Sequence, residues 1–393
     1  MNLKIFTDNI EDVALEQIEL LLSQDAFKDC KVRIMPDVHA GAGCVVGFTA
    51  NLNDKVIPNI VGVDIGCGMS WAKIKGDLNL SKLDEVIKAN IPSGMNVREV
   101  ALDSQIDLSM LRCYKKLRNI EYLKQSLASL GGGNHFIEVD VDDEGNHYLV
   151  VHTGSRNLGK QVCEIYQNKA MENCSYKKEL EKERKELISK FKEEGKEKLI
   201  EQALIKLSKK YVDKYKLPKD LCYVDGNDRE DYLFDMQIAQ NWAKENRKKI
   251  IEIIVSKLGL EMEEYHETIH NYISDDNIVR KGAIRASKGE LVLIPMNMRD
   301  GCLICVGKGN PDWNESAPHG AGRLMSRSDA KAKFTIDEFK KQMKGIYTST
   351  ATQETLDEAP MAYKPMEEIV SKIHDTVEIV KTIKPIYNFK ATE

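Results

Sequence analysis

VGVDIGCGM, Val61 to Met69, is the stretch from which the rest of the chain is read. It sets an acid, Asp64, and a thiol, Cys67, three residues apart among Gly62, Gly66 and Gly68. Glycine costs backbone entropy in any regular element, so this density points to a sharp turn or to something approaching the backbone closely. An acid and a thiol presented from such a turn can reach one divalent cation. The nonamer also reads as a buried turn with a core cysteine. The segments on either side have to decide between the two.

Upstream, the spacing of Ile10, Val13, Ala14, Ile18 and Leu21 predicts an amphipathic helix. Lys31 to Met35 reads as a short strand leading into MPDVHAGAGCVVG, Met35 to Gly47. Asp37 and His39 alternate there and so share one side of an extended chain. Either is a candidate ligand, or the two form a hydrogen-bonded pair that supports a turn. Val56 to Val63 is a second apolar segment that ends in the nonamer, and residues 81–130 read as mostly helical and polar.

Downstream comes GGGNHFIEVD, Gly131 to Asp140. Its glycines can form a nest of backbone N–H groups suited to an anion, just before Asn134 and His135. From Phe136 the pattern is strand-like and puts Glu138 on the same face as Phe136. A second strand, His147 to His152, runs into HTGSRNLG. His152 caps that strand or serves as a ligand at its end, followed by a turn whose Ser155 and Arg156 face phosphate.

From about residue 175 to 219 lysine and glutamate dominate, which predicts a solvated long helix or helical hairpin laced with i,i+4 ion pairs. This segment is read as an insertion. Tyr232 to Leu258 is an ordinary amphipathic helix. HETIHN, His266 to Asn271, contains H-E-x-x-H, which on a helix suggests a zinc hydrolase with Glu267 as base. The block Arg280–Glu290 is basic and punctuated by glycine. Leu291 to Gly309 then reads as strand, turn and strand, so its unpartnered CxxC (Cys302, Cys305) belongs to a buried strand. PHGAGRLMSRSDA, Pro318 to Ala330, surrounds His319 with small residues and follows it with Arg323 and Arg327. The tail from Glu358 onward reads as helical.

A chain of 393 residues with 42% hydrophobic and 30% charged content fits one large or two modest globular domains with a solvated surface. No run of eighteen apolar residues suggests a membrane span, so no membrane partner and a cytoplasmic location are expected. Nine cysteines without a paired framework suit a reducing compartment. The net charge of −5 argues against a protein that coats nucleic acid, though not against a local basic groove.

Asp64, Cys67, His135, His152 and His270 are more donors than one tetrahedral metal needs. A thiolate can bridge two cations, so the set fits a pair of divalent ions in the manner of phosphoryl-transfer sites. The mixture of hard and soft donors suits zinc or manganese. His319, with no acid close to it in sequence, is the candidate nucleophile. A neutral imidazole can attack an electrophilic phosphorus and leave a phosphoramidate.

MPDVHAGAGCVVG, VGVDIGCGM, GGGNHFIE, HTGSRNLG, HN followed by RKGAIRASKGE, and PHGAGRLMSR occur in one order over nearly the whole chain. In these motifs the chain resembles the RtcB family of RNA-splicing ligases. The resemblance implies an α+β fold in which residues 1–393 form one large catalytic domain, with central β-sheets, surrounding helices and the charged helical insertion at 175–219. It implies joining of RNA 3′-phosphate or 2′,3′-cyclic phosphate ends to 5′-hydroxyl ends, in RNA repair or tRNA splicing, with GTP as cosubstrate and two Mn²⁺ ions.

By the same resemblance Asp64, Cys67, His135, His152 and His270 match the metal ligands, with Cys67 bridging, and His319 matches the histidine that carries GMP. Asn134, His135, Phe136, Glu138, Asn271, Pro295, Asn297, Met298, Cys302, Gly320, Ala321, Gly322 and Lys390 match nucleotide contacts. Glu138 would read the guanine edge, and Arg156 and Arg323 would face RNA phosphate. The partners implied are RNA with broken ends and GTP, with room for an activating protein.

The chain departs from the family pattern at Pro295-Met296-Asn297-Met298-Arg299-Asp300-Gly301, where many members carry a glycine-rich run, and at Cys302, which replaces a serine. A divergent subgroup is expected. The competing readings are a metal-dependent hydrolase using His266, Glu267 and His270, and a non-catalytic factor that binds RNA ends.

Overall fold

The computed structural model describes residues 2–211 and 214–391. Val212 and Asp213 of the charged segment, and Thr392 and Glu393 after Lys390, lie outside the described residues. In chain order the strands begin with β1 (Asn2–Ile5), β2 (Lys31–His39), β3 (Val46–Asn51), β4 (Gly68–Lys75) and β5 (Phe136–Val141). They continue with β6 (His147–Thr153), β7 (Glu261–Ile269), β8 (Asn271–Ile273), β9 (Ile278–Lys281) and β10 (Ala283–Arg285). The last four are β11 (Leu291–Asn297), β12 (Gly301–Gly307), β13 (Ser316–Pro318) and β14 (Val377–Lys390). With the helices around them they make the mixed α/β architecture expected from the sequence.

Three sheets result, with strand orders β1-β2-β3-β9-β8, β10-β13 and β11-β12-β14-β5-β6-β4-β7. The seven-stranded sheet is antiparallel throughout. Alternation along its strands gives it two apolar faces. Ala72, Val139, Leu149 and Val151 pack against Ile250, Ile251 and Ile254 of the 33-residue helix Gly226–Leu258. On the other face Trp71, Phe136 and Val150 meet Leu293, Cys302 and Ile304, so the sheet curls until its two ends close on each other.

The helix comes close enough to explain one glycine of the opening nonamer. A Cβ on Gly66, whose φ is +70°, would lie 2.8 Å from the Cα of Gln240. The helix ends at Gly259 in the left-handed conformation, which accepts the helical C-terminus without a Cβ clash.

The Lys/Glu-rich segment takes the hairpin form. Helices Lys177–Glu193 and Ile200–Tyr211 lie together, with Lys210 Nζ 3.0 Å from Glu183. Three expectations are corrected. Residues 81–130 are helical only in Leu80–Asn90, Ile120–Gln125 and two single turns, because the stretch between lacks an apolar period. The tail is helical over Met366–Ile373 and then becomes the long strand β14. H-E-x-x-H does not lie on a helix: His266 and Glu267 belong to β7.

Candidate metal centre and adjoining cavity

The register of the large sheet explains why distant residues meet. Cys67 immediately precedes β4, and the antiparallel neighbours of β4 end beside it. Gly68 pairs with Thr153 of β6 and with Ile269 of β7, so His152 and His270 flank Cys67. His135 precedes β5, whose first residue, Phe136, pairs with His152. Four donors thus sit at one end of four adjacent strands, and Asp64 joins them from the turn before Cys67.

The atoms converge closely. Cys67 Sγ lies 3.5 Å from His135 Nε2 and 3.3 Å from His152 Nε2. His152 Nε2 is 3.4 Å from His270 Nε2, and His135 Nε2 is 3.0 Å from Asp64 Oδ2. His135 Nδ1 donates to the Leu130 carbonyl at 3.0 Å, and His152 Nδ1 donates to the Asn134 carbonyl at 3.3 Å. The Nε2 atoms of both rings are thereby turned toward the thiol.

That arrangement gathers a thiol, three ring nitrogens and a carboxylate oxygen into one buried cluster, a donor set that could hold a cation. The buried Nδ1 of His270 has no hydrogen-bond partner among the described residues. Two donor groups, Asp64–Cys67–His135 and Cys67–His152–His270, each fit a metal ion, and Cys67 belongs to both.

The electrostatics suit metal binding. Burial holds His152 and His270 well below the usual histidine range, helped by the neighbouring imidazoles, so both rings are neutral donors. Burial and then Asp64 push the Cys67 thiol up. Partial burial would raise Asp64, but the hydrogen bond and charge of His135, with Arg156 beyond, hold it well below the usual carboxylate range. The backbone is fitted to this carboxylate, since a Cβ on Gly154 would lie 1.9 Å from Asp64 Oδ1.

Arg247, fully buried on the long helix, ties the ligand-bearing turns together. Its Nη1 donates to the Gly66 carbonyl at 2.9 Å and to the Thr153 carbonyl at 3.0 Å, beside Cys67 and His152. Glu267 is its counter-charge at 3.5 Å and also pairs with Lys244, while the His266 ring stacks on Trp71. On a strand Glu267 and His266 face opposite sides of the sheet, and neither belongs to the donor group of His270, which removes the geometric basis of the hydrolase alternative. Arg247→Met leaves two buried carbonyls unpaired and is expected to lower stability by about 3 kcal/mol, measured by denaturant unfolding of the metal-free protein. A loss below about 1 kcal/mol would contradict this bracing role.

His319 follows β13, whose pairing with β10 brings it to the metal donors. Its ring centroid is 4.8 Å from that of His270. The acid missing near it in sequence is Asp37 of β2. Asp37 Oδ2 accepts from His319 Nδ1 at 2.7 Å and from the backbone N–H groups of His319 and Gly320 at 3.1 and 3.2 Å. Nδ1 therefore carries the proton and Nε2 keeps its lone pair. Of the two sequence readings for Asp37, the hydrogen-bonded brace is the one observed, but its partner is His319; His39 instead contacts the Asp37 carbonyl at 2.9 Å.

Next to these histidines lies a cavity of about 650 Å³, within the range of small-ligand sites. His152, His270 and His319 line it, as do Asn134, Phe136, Glu138, Pro295, Asn297, Met298, Gly320–Gly322, Arg323 and Lys390. Lys390 Nζ sits over the Phe136 ring at 4.8 Å and pairs with Glu358 at 2.7 Å. Burial alone would raise Glu358, but Lys390, Arg327 and Arg323 hold it down at about 2.

Five residues expected to contact nucleotide or phosphate do not line the cavity: Asn271, Cys302, Arg156, Ser155 and His135. Asn271 spends its amide on the Asp64 carbonyl and the Gly282 N–H. Cys302 lies behind Glu138, at 3.8 Å from its Oε1. Arg156, at a positive φ of 59°, lies 3.4 Å from His135 Nδ1, and His135 itself faces Cys67. Ser155 turns inward to the Ile65 carbonyl instead of facing phosphate.

Glu358 and Asn388 line the cavity and carry no sequence expectation, whereas Arg327 lines it together with Arg323, the two arginines that follow His319 in sequence and suit phosphate oxygens. The period-two spacing of Asn388 and Lys390 was the available signal, hidden by reading the tail as helix. The altered turn closes on itself, with Asn297 Nδ2 donating to Asp300 at 2.8 Å and Arg299 pairing with Asp300 at 2.7 Å.

A buried set of thiol, imidazole and carboxylate donors that could hold metal ions thus opens onto a cavity of small-ligand size. The chain belongs to the RtcB family: a family model described as tRNA-splicing ligase RtcB matches residues 23–119 and 112–391. It is 28% identical to RNA-splicing ligase RtcB of Escherichia coli K12, over 90% of this chain and 88% of that one. To tRNA-splicing ligase RtcB of Aeropyrum pernix it is 27% identical, over 87% and 83% of the two chains. For the Methanococcus maripaludis tRNA-splicing ligase RtcB the figures are 25%, 97% and 92%. No helix among the described residues is long and apolar enough to cross a membrane.

Proposed function

We propose that the protein is a GTP-dependent RNA ligase that joins a 3′-phosphate or 2′,3′-cyclic phosphate end to a 5′-hydroxyl end in RNA repair or tRNA splicing. The observation that carries this reading is the seat of His319. Its Nδ1 is fixed by a buried carboxylate, its Nε2 has no hydrogen-bond partner among the described residues, and it stands between the metal donors and the cavity. In this reading Asp64, Cys67, His135, His152 and His270 hold two divalent ions, manganese or zinc, which supply Lewis-acid stabilisation of phosphate charge.

His319 Nε2 attacks the α-phosphorus of GTP and pyrophosphate leaves, giving a histidine–GMP phosphoramidate. Asp37 stabilises the positive charge that develops on the ring. The RNA 3′-phosphate, after any cyclic form is opened, takes the GMP from His319. The 5′-hydroxyl then attacks that phosphate and expels GMP. Glu138 offers acceptors to the guanine N1 and N2 donors, while Phe136, Lys390 and the Pro295–Met298 turn shape the base end. Arg323 serves RNA phosphate from the cavity rim and Arg156 from beside His135. The reaction needs no membrane and is placed in the cytoplasm; an activating protein would act on product release or guanylylation.

With α-labelled GTP and Mn²⁺ the full chain is expected to form an acid-labile, stable-to-base adduct, and to join cleaved RNA bearing cyclic-phosphate and 5′-hydroxyl ends. Metal-loaded, folded protein that forms no adduct would sink the reading. RNA binding without adduct or joining would favour the end-binding alternative.

A further inference from the structure

We propose that Glu138, Asp140 and Cys302 hold a third divalent cation, of the zinc class, behind the cavity wall. Glu138 and Asp140 are two apart on β5 and so share its inner face. Cys302 reaches the same place from β12, across β14. Their donor atoms lie within 4.8 Å of one another, and Cys302 Sγ is 3.8 Å from Glu138 Oε1.

All three side chains are buried, and neither carboxylate oxygen of Asp140, which is 0% exposed, has a hydrogen-bond partner among the described residues. The Asn388 amide donates to the other oxygen of Glu138. The Lys390 ammonium, whose charge reaches Glu138, is paired with Glu358. Two buried carboxylates and a thiol without a cation of their own need neutralising, because an unpaired buried charge is among the costliest features a fold can carry.

Burial raises Glu138 to about 7, and burial with the Glu138 charge raises Asp140 far above the carboxylate range, which states the same conflict in protons. A divalent cation resolves it by displacing those protons. A thiolate beside two carboxylates selects a zinc-like ion over magnesium or calcium. Three protein donors leave one position of a tetrahedral site for solvent.

Only Glu138 of the three also lines the cavity. An ion held here therefore competes with a base for Glu138, and zinc becomes a brake on nucleotide binding. That consequence rests on the reading under Proposed function; the metal site does not.

The test uses the full-length chain carrying Cys67→Ser, which removes the thiolate of the central site, with Co²⁺ as the probe. We expect one equivalent of cobalt to give a thiolate-to-metal charge-transfer band. Adding Cys302→Ser should abolish the band. Asp140→Asn, nearly isosteric, should weaken it at least tenfold while the unfolding transition stays in place. Absence of the band in the Cys67→Ser protein, or its survival in Cys67→Ser/Cys302→Ser, overturns the proposal and leaves a pair of carboxyls that share protons. If the band behaves as expected but the unaltered, metal-loaded protein binds no GTP, the ligase reading fails and the site stands.

Discussion

Cys67→Ser is expected to cost the protein both metal ions at once, and with them all RNA joining. The reason is geometric. Cys67 Sγ is a member of both donor groups, within 3.5 Å of His135 Nε2 and 3.3 Å of His152 Nε2. A serine hydroxyl is shorter and does not ionise near neutrality, so it cannot bridge two cations. Losing groups that merely support a ligand lowers metal affinity by about 10–100-fold, and losing a shared ligand should exceed the upper figure for each ion.

His135→Ala, by contrast, removes a donor from one group only and should leave one ion bound. Manganese per chain, measured after desalting, separates the two variants. One tightly held manganese ion that persists in Cys67→Ser/Cys302→Ser, where the Glu138–Asp140–Cys302 group has also lost its thiol, would show that the Cys67 thiol is not shared.

Asp37→Asn should reduce adduct formation on the order of a thousandfold while manganese content stays unchanged. Asp37 is fully buried, and one of its oxygens accepts three donors from His319 and Gly320. An asparagine oxygen can take the same three bonds, so the loop keeps its place. What disappears is the negative charge that stabilises the imidazolium formed as Nε2 bonds to phosphorus. His319→Ala removes the nucleophile and should leave no adduct at all. A near-normal rate in Asp37→Asn would mean that the carboxylate only positions the loop.

Much of the metal centre was legible in sequence because its donors belong to short motifs of restricted composition. Asp64 and Cys67 stand among glycines, and each histidine ends or begins an apolar run. Those runs became β4 to β7, and antiparallel pairing carried the donors to one end. Asp37 was half legible: its alternation with His39 marked a turn brace, but nothing local tied it to a histidine 282 residues away.

Arg247 was hidden in a basic run, because charge along a helix does not reveal which member faces inward. The H-E-x-x-H letters misled for a related reason, since a motif defined by helical spacing has no meaning on a strand. The final segment was misread because Pro385 and the irregular pairing beside it interrupt the alternation that marks a strand.

That final strand has a consequence for how the molecule comes into being. β14 is the last segment described, yet it lies between β12 and β5 in the interior of the seven-stranded sheet. Until the ribosome has released it, the two halves of the sheet face each other across a gap with two unpaired edges. Such edges invite pairing with other chains. Interrupted synthesis would therefore yield an aggregation-prone product with an unfinished cavity wall, lacking Asn388 and Lys390. Synthesis through β14 is therefore a precondition for a closed sheet and a complete cavity wall.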